Sequence, residues 1–589
     1  MNVVVFDVEG NGFLDNITKL HCLALANLTT GHRKSFEPDM VEHGVREVME
    51  ADLIIGHNVI KYDLAVLSKL YPWFRVKRDQ VVDTLVLSRL IYSDIGDRDR
   101  AKPHDQRIEP KLWGSHSLKA WGQRLGFPKG DYDGGFDEYS PEMLEYNERD
   151  VEVSIKLYEL LRDHVAFSER ASELEHEVAW IIAQQERYGF TFDVERARAL
   201  AGELFARRHS IEAKLQEIFP PWDEELGLFT PKVNNAKLGY VKGVPVMKTK
   251  RMEFNPGSRH HIANRLKAIH NWQPKAFTPD GSAKIDETIL EGLPYPEAAA
   301  LAEYFMVQKR IGMLAEGKGA WLKYERGGKI HGECITNGAV TGRATHKSPN
   351  VAQVPSVGTP YGKECRQLFG PSKGRVQVGI DVSGLELRML AHFMHRYDKG
   401  AYGREVVEGD VHTINQKAAG LETRAQAKTF IYAFLYGAGP EKIGSIAGKG
   451  AQHGRLLRTR FLRRTPALKK LLDAIKAAAS RGYLKGLDGR RLAVRSAHSA
   501  PNTLLQSAGA LVCKRWMVEL DRAIPDDWRE KLQQLAWVHD ELQFECDEDI
   551  AEELGQLAVE CIKRAGDYFG IKVPLTGEYK IGRNWAECH

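Results

Sequence analysis

Residues 535–546 read LAWVHDELQFEC, two apolar runs around a polar tip. Runs of that length around a charged tip predict a β-hairpin with buried flanks and His539, Asp540 and Glu541 at its end. A second apolar run, GRVQVGID, predicts a strand that ends at Asp381. An acid at the carboxyl end of one strand and another at a neighbouring hairpin tip form a pair that can share metal ions. Taken singly, each has a commoner role. Asp381 also reads as the cap of a helix starting near Ser383, and His539-Asp540-Glu541 as an ordinary polar turn.

The stretch between these acids shifts the balance. TRAQAKTFIYAFLYGAG places Arg424, Lys428, Tyr432 and Tyr436 four residues apart. At helical pitch each step drifts only about 40°, so two cations and two aromatics share one stripe. A nucleoside triphosphate needs cations for its phosphates and an aromatic face for its base. The rival is an amphipathic helix with both tyrosines in the core and both cations in water. Phe430, Ile431, Phe434 and Leu435 already supply a side for burial, which leaves the stripe to a ligand.

Residues 1–165 alternate strand and helix, an α/β pattern. Strands are expected at NVVVFDV, LHCLALANL and ADLIIGHN, and helices near 62–71, 84–92, 117–125 and 141–163. Asp7 and Glu9 lie two apart on the first strand and share a face. Asp63 opens a helix, and Tyr146 and Asp150 lie one helical turn apart in YNERDVEVS. A lone DxE is common on strands and usually binds nothing. The four acids together, in this order and on these elements, are a candidate site for two divalent ions that cleave a phosphodiester, with Tyr146 orienting the water.

The rest of the chain sets bounds. It has 589 residues, enough for several domains, and a formal net charge of +4, too small to diagnose a nucleic-acid binder. Its 7 cysteines show no CxxC spacing, which points to a reducing compartment without a disulfide frame or structural zinc. No P-loop, signal peptide or membrane span is read. Residues 168–323 are mostly helical, with long helices at 168–188 and 193–218, the second capped by Asp193, and others at 258–270 and 296–314. Between 220 and 253 the helical pattern fails, and from 232 to 253 six basic residues stand against one acid. Helices are expected again at 384–396, 410–480 and 501–523, and KGLDGRRLAV suggests a hairpin about Asp488-Gly489.

These residues carry a family likeness. The strings DVSGLELRMLAHFM, TRAQAKTFIYAFLYGAGPEKIG, KGLDGR, NTLLQSAGALVCK, AWVHDELQ and NWAECH resemble family A DNA polymerases, nearest to the replicative polymerases of T-seven-like short-tailed phages. FDVEGNG, HNVIKYD, DTLVLSRLIYS and YNERDVEVS resemble that family's proofreading exonuclease motifs.

The resemblance implies an α/β multidomain fold, an RNase H-like 3′-5′ exonuclease followed by a right-hand polymerase. The expected divisions are 1–165 exonuclease; 166–330 thumb and connecting helices with a short basic loop at 220–253; 331–409 palm; 410–500 fingers; and 501–589 palm. It implies Asp7, Glu9, Asp63 and Asp150 as exonuclease metal ligands or their close partners, with Tyr146 at the attacking water. Asp381 and Asp540 are implied as the palm metal ligands, with Glu541 as an accessory acid. Arg424, Lys428 and His412 fall to the triphosphate. Tyr432 lies beside sugar and base, and Glu386 crowds out a ribose 2′-hydroxyl with it. Arg343, Gln506 and His539 are expected at the primer end and minor groove.

The expected cofactor is Mg2+, two ions per site, with Mn2+ as an alternative. Expected partners are primer-template DNA, dNTP and a phage helicase-primase, in the cytoplasm of an infected bacterium, with no membrane. Relatives of the T-seven type capture host thioredoxin on a large thumb insertion. The stretch 220–253 is 34 residues, so thioredoxin is not expected here, and the basic loop reads equally as a contact to duplex backbone or as a solvated loop. A tyrosine at 432 implies tolerance of dideoxynucleotides.

Overall fold

In the computed structural model, which describes residues 1–588 apart from the Asp105 side chain, the first apolar run forms β1 (Val3–Gly10). It pairs antiparallel with β2 (Leu20–Asn27), which pairs with β3 (Arg33–Phe36). On its other side lie β4 (Leu53–Gly56) and β5 (Val81–Asp83), both parallel, giving the order β3-β2-β1-β4-β5. Parallel neighbours need crossovers. The helices Val41–Met49 and Asp63–Leu70 supply them. This is the strand order of the expected RNase H-like domain. The helix Pro141–Arg162 lies across β1 and β2, where Val151 and Tyr158 meet Val5, Ala24 and Ile55.

The hairpin at 535–546 forms as β7 (Leu532–Val538) and β8 (Glu541–Cys546), with His539 at φ 59 in the turn. With β6 (Val376–Val382) and β9 (Gly577–Gly582) it makes an antiparallel sheet ordered β7-β8-β6-β9. One face, with Val378, Ile380, Leu542 and Phe544, is part of a core shared with the helices Ala500–Ala523 and Ala551–Phe569. The other face holds Gln377 and Gln543 and is closed by Trp585 and Cys588. A Cβ at Gly379 would stand 2.3 Å from the Cys588 carbonyl oxygen, so only glycine lets the tail lie there. The terminal string NWAECH includes His589, which lies outside the described residues.

The stripe helix runs Arg424–Leu435 and starts on a capping box. Thr423 Oγ1 accepts from Gln426 N and Gln426 Oε1 accepts from Thr423 N, each at 3.1 Å. Its buried side is Ala427, Phe430, Ile431, Phe434 and Leu435, as the pattern anticipated.

A buried ionic cluster joins distant segments. Glu175, on the helix Glu169–Tyr188, receives Lys514 and Arg490, and Arg490 also holds Asp488. All four side chains are buried, and burial lowers the Lys514 ammonium to about 8 although Glu175 opposes it. The hairpin around Asp488-Gly489 pairs Tyr483–Lys485 with Arg491–Ala493.

By contacts the chain forms two units. The first is Met1–Phe190, His331–Ala352 and Gly370–His589; the second is Thr191–Ile330 and Gln353–Phe369. The second unit contains the helices Val194–Ile218, Arg259–His270 and Ala298–Ile311. Asp193 caps the first, accepting from Arg196 N at 2.9 Å. Here one expectation needs correcting. The stretch without helical period is an antiparallel hairpin, Trp222–Phe229 with Val246–Met252. Its register sets Asp223 opposite Arg251 and Glu224 opposite Lys250, so acids upstream of 232 face two of the six cations.

Candidate active sites

Asp7 and Glu9 project from one face of β1, and Asp150 approaches from the helix Pro141–Arg162. Their ligand oxygens lie within 4.8 Å of one another. Asn147, one turn before Val151 on that helix, donates to Asp7 Oδ2 at 2.7 Å. Asp63 stands outside this trio. Burial raises its carboxyl, against the pull of the main-chain N–H groups of Asp63 itself and of Val8. Asp83 braces the turn before Asp63 by accepting Asn58 N at 2.9 Å and Ile60 N at 3.2 Å.

Lys129 reaches the cluster from a loop. It pairs with Asp150, and its ammonium lies 4.2 Å from the centre of the Tyr146 ring. Burial raises every carboxyl here. Glu9 is pushed up to about 8, with Asp150 adding to burial; Asp63 rises to about 7; Asp150 rises to about 6 against the pull of Lys129; Asp7 rises well above its usual range. One ammonium does not balance four carboxyls. Asp150 Oδ1 is buried without a hydrogen-bond partner. An acid-only donor set with a bare inward oxygen fits hard divalent cations.

The second site lies on the β6–β8 sheet. Asp381 stands opposite Glu541 in the register, and Val382 N donates to the Asp540 carbonyl at 3.1 Å. The two acids, 159 residues apart, are thereby neighbours. Burial raises the Asp540 carboxyl. Glu541 is in register but turned inward, accepting from Trp585 Nε1 at 2.6 Å and Gln543 Nε2 at 2.5 Å.

A cleft of about 520 Å³ opens beside Asp540. Arg343, Glu386, Lys428, Tyr432, Tyr436 and His539 line it, so six side chains scattered over 197 residues of sequence meet in one space. Gln506 is not among the lining residues, although Leu505 and Gly509 on the same helix are. Arg343 lies 3.4 Å from Glu386 Oε1, and Tyr436 donates to the same oxygen. His412 is next to Tyr432, with ring centres 6.5 Å apart. Arg424 lies outside the cleft lining and is not unpaired. It donates to Asp410 at 2.8 Å.

The family model described as DNA polymerase family A matches residues 243–587, and the DNA-directed DNA polymerase of Escherichia phage T7 is 39% identical over 100% of both chains. The chain belongs to family A of the DNA polymerases. The DNA-directed DNA polymerase of Enterobacteria phage T3 is likewise 39% identical over 100% of both chains. Among solved structures, the POL domain of Pol1 from M. smegmatis, in complex with DNA primer-template and dNTP, aligns at TM-score 0.72 and 18% identity, covering 100% of this chain and 96% of that one. This second likeness is one of fold. The polymerase is thus template-directed and metal-dependent, with an N-terminal exonuclease domain ahead of palm, fingers and thumb.

Three polar residues at these centres, Tyr436, Asp410 and Lys129, had no individual role assigned from the sequence. Tyr436 had a signal, since it is the last member of the stripe. Asp410 sits two residues before His412 in GDVHT and has the sequence position of a helix cap. Lys129 had none, because PKGDYDGG has no period and its partner lies 21 residues on.

Proposed function

We propose that this polymerase adds deoxynucleotides to a primer 3′ end at Asp381 and Asp540 and removes mispaired ends at Asp7, Glu9, Asp63 and Asp150. The observation that carries the first assignment is the register that makes Asp381 a neighbour of Asp540, which itself lines the Lys428–Tyr432 cleft. Mg2+ is the proposed ion at both centres, and when bound it supplies a lowered pKa for the attacking oxygen and charge neutralisation for the leaving one.

The chain's own groups do the rest. Lys428 and Arg424 bind phosphate oxygens, with His412 as a further contact. Tyr432 packs against sugar and base. Glu386, fixed by Tyr436 and Arg343, fills the space a 2′-hydroxyl would take. Glu541 acts from behind by holding the hairpin tip to Trp585. Arg343, Gln506 and His539 meet the primer end and minor groove, whose acceptors are shared among correct pairs. In the exonuclease, Tyr146 orients the water, and Lys129 steadies Tyr146 and Asp150 together.

The division into exonuclease 1–165, thumb 166–330, palm 331–409, fingers 410–500 and palm 501–589 belongs to this proposal. So do work with a phage helicase-primase in the cytoplasm of an infected bacterium and synthesis independent of host thioredoxin. Primer extension and single-strand degradation, each with Asp381→Ala and Asp7→Ala, test the two assignments. Each substitution should abolish one activity and spare the other. Intact synthesis by Asp381→Ala overturns the central one. Product length with and without thioredoxin tests the last.

A further inference from the structure

Asp410 is the N-cap of the helix Val411–Ala419. Its Oδ1 accepts His412 N at 3.1 Å and Thr413 N at 3.3 Å. Its Oδ2 accepts Thr413 Oγ1 at 2.7 Å and Arg424 Nε at 2.8 Å. A cap requires an oxygen but no charge, and asparagine or serine caps a helix as well as aspartate does. The negative charge is therefore surplus to the local fold. It rests on a guanidinium that stands in the stripe with Lys428 and Tyr432. Both partners are open to water, with side chains 58% and 45% exposed, so the pair can separate without unpacking anything. Arg424 holds its partner's carboxyl well below the usual carboxylate range.

We propose that Asp410 is an internal competitor for Arg424, an anion that an incoming triphosphate has to displace. This rests on the assignment of Arg424 to the triphosphate. Two anions at one cation repel, so binding at Arg424 costs the existing pair. A ligand with fewer phosphate charges meets the same carboxylate with less to gain. Asp410 thereby sets a charge threshold that favours triphosphates over diphosphates, and it acts as a specificity-determining positioning residue.

Single-nucleotide incorporation tests this with wild type, Asp410→Asn, Arg424→Ala and the double variant, measuring kcat and KM for one correct dNTP and inhibition by the matching nucleoside diphosphate. Asp410→Asn should lower KM roughly two- to fivefold, the coupling of an exposed ion pair, with kcat within about twofold. Inhibition by the diphosphate should tighten at least as much. In the Arg424→Ala background the same change should do nothing. Asp410→Ser, a second neutral cap, should behave as Asp410→Asn does and guards against a folding defect. A higher or unchanged KM in Asp410→Asn overturns the proposal, as does an equal fall in both backgrounds. An unchanged KM in Arg424→Ala instead overturns the role of Arg424, and the competitor with it.

Discussion

Acids at the two centres differ in how they are compensated. In the exonuclease, each carboxyl titrates above its ordinary range because burial penalises its charge. Folded values of about 6, 7 and 8 for Asp150, Asp63 and Glu9 exceed unfolded values of 3.8, 3.8 and 4.5. Between those limits the folded chain binds more protons than the unfolded one, so stability falls as pH rises. Metal-free protein should therefore show a melting temperature that drops from pH 5 towards pH 8, and added Mg2+ should raise it more at pH 8 than at pH 6. Calorimetry of wild type beside Asp7→Asn checks this, since the variant should show a weaker metal effect at pH 8. At the palm, Asp540→Asn should reduce synthesis by on the order of a thousandfold while exonuclease activity persists, measured on one substrate. Wild type should incorporate dideoxynucleotides efficiently, and Tyr432→Phe should discriminate against them by roughly tenfold more, the worth of a hydrogen bond to a charged group. Competition between dNTP and ddNTP in one reaction measures it. Asp7 with Glu9, and Lys428 with Tyr432 and Tyr436, were legible because strand and helix periods place each set on one shared face. The partnerships Lys129–Asp150 and Asp410–Arg424 were not, because they cross between elements and leave no period in either.

Among elements, the long amphipathic helices and buried strands were foreseen to within about three residues. Glu169–Tyr188 and Val194–Ile218 are examples. The strands Arg33–Phe36 and Val81–Asp83 were missed because four and three residues are too few to show alternation. The hairpin Trp222–Phe229/Val246–Met252 was missed for another reason. None of its strand residues is buried, and period-two patterning is the imprint of one buried face. Its register also sharpens the expectation of a DNA-contacting loop. Lys250 and Arg251 face acids, which leaves Lys232, Lys237, Lys242 and Lys248 for phosphates. Replacing those four by serine should shorten products per binding event and reduce the salt slope of DNA affinity by up to about four. Replacing Lys250 and Arg251 should do far less. Equal effects from both sets, in trapped single-turnover extension, would show that the register does not govern the contact.

For the molecule as a whole, the cluster of Glu175, Lys514, Arg490 and Asp488 matters most. Removing Glu175 leaves Lys514 without its carboxylate in a dry interior, while Arg490 keeps Asp488. Glu175→Ala should cost about 3–5 kcal/mol by denaturant unfolding and impair both activities, although it touches neither site. Nothing in the sequence pointed to this. Glu175 and Lys514 are 339 residues apart, each on an ordinary helical pattern, and a long-range ion pair has no local signature. The same cluster fixes where this gene tolerates exchange with a relative's. A crossover falling near codon 165 would carry Glu175 along with Arg490 and Lys514 from one parent. A crossover near codon 190 would combine a foreign Glu175 helix with native partners, and only parents that share all four charges would yield a viable mosaic.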